Sequence, residues 1–126
     1  MKSKNTLLII AGVLNLFTAI LHLIGGQISL INPLLDSDIE LQAKTELLGV
    51  WHMATAVLFA TSVVLLYFGF IPGKSSKHLI KFIAYLYILF SISFIVVSIM
   101  YNQFAPQWTL LLPIGILSII GIKKKY

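Results

Sequence analysis

Cysteine and arginine are both absent from the sequence. Without cysteine, the chain can form no disulfide, no thiolate metal site and no iron–sulfur cluster. Charge is scarce as well, since 10% of the 126 residues are charged whereas soluble domains carry about 25%. With 59% hydrophobic residues, a chain of this size cannot hide its apolar surface in a water-soluble core. The composition therefore predicts a protein whose solvent is largely lipid.

Long hydrophobic runs make up most of the sequence. Four of them stand out, over residues 7–31, 47–71, 79–101 and 104–122. Each approaches or exceeds the roughly 17–25 residues with which an α-helix crosses about 30 Å of hydrocarbon. We therefore predict an all-α, polytopic integral membrane protein in which residues 1–126 form a single four-helix transmembrane bundle. The last run is the weakest, because Pro113 removes a backbone donor in mid-helix and should kink it.

The first run has some features of a secretory signal, because Lys2 and Lys4 precede it. It is longer than the apolar core of a signal peptide, which spans about 7–15 residues, and no small-residue cleavage site follows it. We expect this run to be retained as the first membrane helix.

The lysines predict the direction in which the helices cross. Eight of the nine lie on the side of the termini and of the second loop: Lys2, Lys4, Lys74, Lys77, Lys81, Lys123, Lys124 and Lys125. Lys44 and all four acidic residues lie between the first and second runs. Since positively charged short loops stay cytoplasmic, we expect both termini inside (N-in/C-in) and the acidic loop outside. The excess of lysines over acidic residues then indicates anchoring at anionic lipid headgroups, and we expect no nucleic-acid partner.

Trp51 and Trp108 fall near the outer ends of their helices, where tryptophan anchors a membrane protein at the interface. We expect the chain to lie in a bacterial cytoplasmic membrane. Its partners would be the lipid bilayer and, in addition, further copies in a homo-oligomer or a partner membrane subunit. The "WH" of the second run, after "HLIGG" in the first, loosely resembles small four-span bacterial proteins. That pattern is too short to define a family, and no residue role follows from it.

Two stripes of small and polar residues predict the faces on which the first two helices pack. Membrane helix contacts favour Gly, Ala, Ser and Thr, and steps of three or four residues keep side chains on one face. On the first helix the stripe comprises Ala11, Asn15, Thr18, His22, Gly25 or Gly26, and Ser29. On the second helix it comprises Thr45, Gly49, His52, Thr55 or Ala56, Ala60, and Ser62 or Val63. Both intramembrane histidines therefore lie on faces that we expect to be buried between helices.

His22 and His52 also match in depth. In an antiparallel hairpin, residues at one level have position numbers with a constant sum, and a sum of 74 pairs His22 with His52 and Gly25 with Gly49. Adjacent helix axes lie about 8–10 Å apart, and glycines permit the closer end of that range. We therefore predict an outward-facing histidine pocket. Its supporting residues would be Asn15, Thr18, Gly25, Gly26, Gln27, Glu46, Gly49, Thr55 and Asn102.

Several roles for the histidine pair remain open. Each ring could simply donate a hydrogen bond to a neighbouring helix, which stabilises a membrane bundle by roughly 0.6–2 kcal/mol. Imidazole also suits a divalent metal ion, although zinc would need further ligands. Glu46 could bind the same ion as His52 only if the second helix begins after Glu46. A haem with two axial histidines is less favoured, because the two helices of a short hairpin lie close together.

The leading hypothesis is a pocket that binds a metal ion or a small ligand, in an accessory or oligomeric subunit. One alternative is a membrane enzyme that uses histidine as a general acid–base on a lipophilic substrate. Another is a structural or channel-forming subunit in which the histidines only pack. The sequence leans away from an enzyme, because it contains no recognisable Ser-His-Asp or paired-aspartate arrangement.

Overall fold

The computed structural model describes residues 4–71 and 76–123. Four helices run through these residues: α1 (Thr6–Asp36), α2 (Leu41–Phe70), α3 (Lys77–Tyr101) and α4 (Trp108–Lys123). The first three are long and apolar enough to cross a membrane, while α4 is a shorter apolar helix. The prediction of an all-helical chain is confirmed. Pro113 lies inside α4, and the helix continues through it.

The hydrogen-bonding pattern of α1 changes halfway along the helix. It is α-helical over Thr6–Ile20, contains π-helical turns at Leu21–Gly25 and Gln27–Ile31, and returns to α-helix over Asn32–Asp36. The second π-turn ends two residues before Pro33. The ring of this proline crowds the carbonyl four residues earlier, and the proline has no N–H to donate to it. A wider turn at this point relieves that conflict. The first π-turn carries His22, and no sequence signal distinguishes it.

The two ends of the bundle differ in charge. One end, here called the lysine end, contains Lys4, Lys77, Lys81 and Lys123. The other, called the acidic end, contains the turn between α1 and α2, with Asp36, Asp38, Glu40 and Glu46. Lys2, Lys74, Lys124 and Lys125 lie outside the described residues.

Asn5 joins three helices at the lysine end. Its side-chain oxygen caps α1 by accepting the N–H of Leu8 at 3.1 Å, as asparagine commonly does before a helix. Its side-chain amide donates to the carbonyl of Gly121 in α4 at 2.9 Å. Its backbone N–H donates to the carbonyl of Gly69 in α2 at 2.9 Å. One buried residue therefore connects the start of α1 with the ends of α2 and α4.

Close packing near the lysine end depends on glycine. Helix α1 packs against α2 and α4, and α3 packs against α4. A Cβ on Gly69 would lie 2.9 Å from the backbone nitrogen of Ile9, and one on Gly115 would lie 2.9 Å from the carbonyl oxygen of Ala84. These distances leave no room for a side chain, so the helices approach as closely as small residues allow.

The interior is more polar, and the surface more apolar, than in a water-soluble bundle. Asn15, Ser62, Ser91 and Ser118 are fully buried, and each of the three serine hydroxyls donates to the carbonyl four residues earlier. Large apolar side chains cover the outside, among them Val13, Phe82, Ile99 and Met100. Such a distribution suits a lipid solvent, in which polar groups must find partners inside the protein.

Candidate ligand pocket

A cavity of about 640 Å³ lies in the half of the bundle nearer the acidic end. All four helices contribute to its wall, which is mostly apolar. Its volume falls within the roughly 300–1,000 Å³ typical of small-molecule sites. The residues used in the argument below are Thr18 and His22 of α1, Trp51 and Leu58 of α2, Phe90 of α3, and Gln107 just before α4.

His22 and Trp51 form one wall of this pocket as a stacked pair. Their ring centroids are 3.7 Å apart and their planes differ by 17°. The Nε2 atom of His22 lies 3.4 Å from the carbonyl oxygen of Trp51, which also accepts the hydroxyl of Thr55 at 3.0 Å. Gly26 makes room for the indole, since a Cβ on this residue would lie 2.2 Å from the Trp51 ring. The first π-helical turn of α1 thus presents His22 to Trp51, and Gly26, directly after this turn, faces the same ring.

Two buried polar atoms of the pocket residues lack a hydrogen bond. The indole Nε1 of Trp51 and the Oε1 of Gln107 have no partner among residues 4–71 and 76–123. Buried polar groups are almost always paired, so each exception calls for a physical reason. The two atoms are chemically complementary, because an indole N–H can only donate and a carboxamide oxygen can only accept.

A three-helix hydrogen-bond network lies below the pocket, towards the lysine end. The hydroxyl of Tyr87 donates to Oδ1 of Asn15 at 2.7 Å, and Nδ2 of Asn15 donates to Oγ1 of Thr61 at 2.9 Å. Thr61 Oγ1 is also 2.7 Å from the Tyr87 oxygen. These residues are one turn away from the pocket residues Thr18, Leu58 and Phe90 on their own helices. The network therefore forms a floor that ties α1, α2 and α3 together.

The predicted pairing of His22 with His52 is not found. Across α1 and α2, Gly12 approaches Leu66, Asn15 contacts Thr61 and Gly26 approaches Trp51, so the position numbers sum to 76–78 instead of 74. The glycines that permit the closest approach set this register. It places His22 beside Trp51, while the side chain of His52 is exposed on the outside of α2.

The expected contact between Gly25 and Gly49 is likewise wrong. Each has open space where a Cβ would be, so neither allows a close approach of helices. Gly25 lines the pocket along with Gly26, whereas Gly49 is exposed and lies outside the pocket.

The remaining predicted pocket residues divide into two groups. Thr18 lines the pocket, and Asn15 belongs to its floor. The others point elsewhere or serve the local backbone: Thr55 bonds to the Trp51 carbonyl, Gln27 donates to Asn32, Glu46 accepts from Gln42, and Asn102 caps the end of α3.

A metal site built on His52 and Glu46 does not fit the helix that carries them. Helix α2 begins at Leu41, before Glu46, so the two side chains are separated along and around a continuous helix. Within the described residues, no three His, Asp or Glu side chains come together in a way that could hold a metal ion.

The predicted set of pocket residues did not include Trp51, Gln107, Tyr87 or Thr61. Trp51 resembled an interfacial anchor, yet its ring lines the pocket. The spacing of Tyr87, three residues after Ala84 and four before Ser91, predicts that it lies on the packing face of α3, and all three residues are buried. Nothing in the sequence indicates that Thr61 would bond to Asn15.

Unlike Trp51, the predicted anchoring lysines within the described chain keep outward positions. Lys77, Lys81 and Lys123 are exposed, and the ammonium of Lys4 lies 5.4 Å from the ring centre of Phe70. Trp108 packs edge-on against Phe104, with 6.3 Å between the ring centroids.

No protein-family model, curated protein or solved structure matches the chain. What the pocket does has to be argued from its own side chains. Its described lining contains one imidazole and no Asp, Glu, Lys or Arg. Such a wall can stack, accept and donate hydrogen bonds, and exclude water from an apolar molecule.

Proposed function

We propose that this chain is an integral membrane protein that binds a small organic molecule in the pocket next to His22 and Trp51. The observation that carries the proposal is the cavity of about 640 Å³, which has all four helices as its wall and the Asn15–Thr61–Tyr87 network as its floor. Concave, mostly apolar cavities with a few converging polar groups are typical of ligand sites.

The proposed membrane placement has four crossings with the lysine end inside. Support comes from the lysines at one end and the acidic residues at the other, since lysine-rich short loops remain cytoplasmic. The pocket then opens towards the outer side.

Single cysteines can test this orientation without background, because the chain has no cysteine of its own. Ser37→Cys lies at the acidic end, and Ser76→Cys lies at the start of α3 at the lysine end. A membrane-impermeant maleimide should label the first variant in intact cells and the second only after permeabilisation. The reverse pattern would contradict the proposed orientation.

An organic ligand is favoured over the metal ion that the sequence suggested. The exposed position of His52 leaves His22 as the imidazole of the pocket. A single imidazole supplies too few ligands for a zinc site, which takes three or four from the protein. Elemental analysis of the purified protein tests this choice, and stoichiometric metal that is lost in His22→Ala would overturn it.

Filling the pocket tests the proposed function directly. Ala54 lines the cavity, and Ala60 is exposed on the same helix outside it. Native mass spectrometry of protein purified in mild detergent should show a co-purifying small molecule in the wild type and in Ala60→Phe. The molecule should be lost in Ala54→Phe. If the wild type carries no small molecule, or if Ala54→Phe retains it at full occupancy, the proposed function fails.

A further inference from the structure

We infer that the ligand is an uncharged amphiphile with a hydroxyl-bearing head and an apolar tail, a class that includes monoacylglycerols. This inference rests on the proposed function and narrows it. It follows from the absence of charge in the described lining, the two unpaired polar atoms of Trp51 and Gln107, and the apolar character of the remaining wall.

Charge complementarity favours an uncharged head group. The described lining offers no lysine or arginine to pair with a carboxylate or phosphate, and no aspartate or glutamate to pair with an amine. Transferring an unpaired charge from water into an apolar cavity is strongly unfavourable. The lysines of the described chain lie elsewhere: Lys44 is tied to the carbonyls of Leu35 and Ser37, and the others are at the lysine end. A neutral ligand avoids this cost because it carries no charge.

The unpaired atoms specify the chemistry of the head. Trp51 Nε1–H needs an acceptor and Gln107 Oε1 needs a donor, and neither has one among the described residues. A hydroxyl group can do both, because it carries one proton and two lone pairs. A ketone or ether oxygen could accept a hydrogen bond from the indole N–H but has no proton to donate to Gln107. A plain hydrocarbon would leave both atoms unpaired at a cost in affinity.

The rest of the wall suits an acyl or similar tail. Leu21, Val57, Phe94 and Leu110 line the cavity along with other apolar side chains. Burying an apolar tail against these side chains is energetically favourable, and the tail carries no polar group that would lose its water. The head should therefore lie against Trp51 and Gln107, with the tail extending along the apolar wall.

Fluorescence quenching can report on this binding mode. In Trp108→Phe, the remaining tryptophan is Trp51, which lies in the pocket wall. The protein, in detergent micelles, is titrated with a monoacylglycerol that carries a dibrominated acyl chain. Two probes with the same dibrominated acyl chain are used for comparison: the ionised fatty acid and the corresponding phosphatidylcholine. In Trp51→Phe, Trp108 reports on quenching outside the pocket.

We expect saturable quenching of Trp51 by the monoacylglycerol, at concentrations at least about tenfold below those needed for either charged probe, as an uncompensated charge would cost more than 1.4 kcal/mol. Trp108 should show only weak, unsaturable quenching. If all three probes quench Trp51 equally, the inference on ligand class is wrong while the pocket still binds. If none gives saturable quenching and no small molecule co-purifies, both proposals fail.

The head-group contacts have their own matched pair of variants. Gln107→Leu, introduced into the Trp108→Phe protein, should weaken monoacylglycerol binding roughly three- to tenfold, the effect of losing one hydrogen bond. Gln103→Leu makes the same change at an exposed residue outside the cavity and should leave binding unchanged. Equal affinities of the two variants would overturn the assignment of Gln107 to the head group.

Discussion

The two halves of this bundle are built from different side chains. Towards the lysine end, α1 meets α2 and α4 through Gly12, Gly69 and Gly121, and buried polar groups find partners inside the protein. Towards the acidic end, α1 contains π-helical turns, aromatic rings stand between the helices, and a cavity of about 640 Å³ opens. Small residues at matching levels draw helices together, and large rings at one level hold them apart.

We expect the lysine-end half to contribute most to stability, whereas the proposed ligand pocket lies in the acidic-end half. In the lysine-end half, an added methyl group at Gly69 or Gly115 would collide with backbone atoms of a neighbouring helix. In the acidic-end half, Gly25 and Gly49 have free space around them. Glycine therefore lets helix backbones approach closely in the lysine-end half, whereas in the acidic-end half Gly26 makes room for the Trp51 ring and Gly25 and Gly49 meet no neighbour. Three pairs of substitutions test this contrast.

The largest effect should come from glycine at the tight contact between α1 and α2. Gly69→Ala places a Cβ 2.7 Å from a side-chain carbon of Ile9 and 2.9 Å from its backbone nitrogen. We expect it to lower the free energy of unfolding by about 1–3 kcal/mol, the usual cost of overpacking. Gly49→Ala, which meets nothing within 4 Å, should be neutral or mildly stabilising. Unfolding by a denaturing detergent measures both, and equal losses would contradict the contrast between the halves.

The floor of the pocket should show the next largest effect. Tyr87→Phe removes the hydroxyl that bonds to Asn15 and leaves a buried amide oxygen unpaired. We expect it to destabilise the protein by about 1–2 kcal/mol. Tyr85→Phe is the matched control, because Tyr85 is exposed on the same helix while Tyr87 is fully buried. The same unfolding assay applies, and a loss in Tyr85→Phe as large as that in Tyr87→Phe would argue against the network.

Substitutions of the two histidines should show the smallest difference in stability, yet this comparison is the most informative about the site. His22→Ala removes the ring stacked on Trp51 and should lower stability by about 0.5–1.5 kcal/mol, the value of an aromatic pair. It should also shift the emission of Trp51, measured in the Trp108→Phe background. His52→Ala, at an exposed position, should change stability by no more than about 0.5 kcal/mol. Equal changes from the two would show that His52 is also buried between helices.

The sequence predicted the helices well because their length and apolar character are local properties. The predicted run 79–101 corresponds closely to α3, and the run 104–122 corresponds to α4 except that the helix begins four residues later, at Trp108. The extension of α1 to Asp36 was missed, since its last residues include Asn32, Pro33 and Asp36, which lower the hydrophobic signal. The start of α2 at Leu41 was missed for a similar reason, because Lys44 and Glu46 interrupt the apolar pattern.

The site was predicted only in part, because helical periodicity identifies a face but not its level against a neighbour. His22 and Thr18 do line a pocket, and Asn15 is buried beside it. His52 shares its predicted stripe with Thr55, yet Thr55 is buried and His52 is exposed. Residues three apart on a helix differ by about 60° in direction, so a stripe drawn from small residues can include both an inward and an outward side chain.

By itself, the amino-acid sequence determined an apolar, helical chain with all but one of its lysines grouped away from the acidic residues, since these properties depend on composition and on the order of residues along the chain. Only the tertiary structure decided the register of α1 against α2, and with it the neighbour of His22. That register depends on which glycines meet which backbone atoms across the interface. The stacking of Trp51 on His22 and the contact of Asn15 with Thr61 in the pocket floor are consequences of that register.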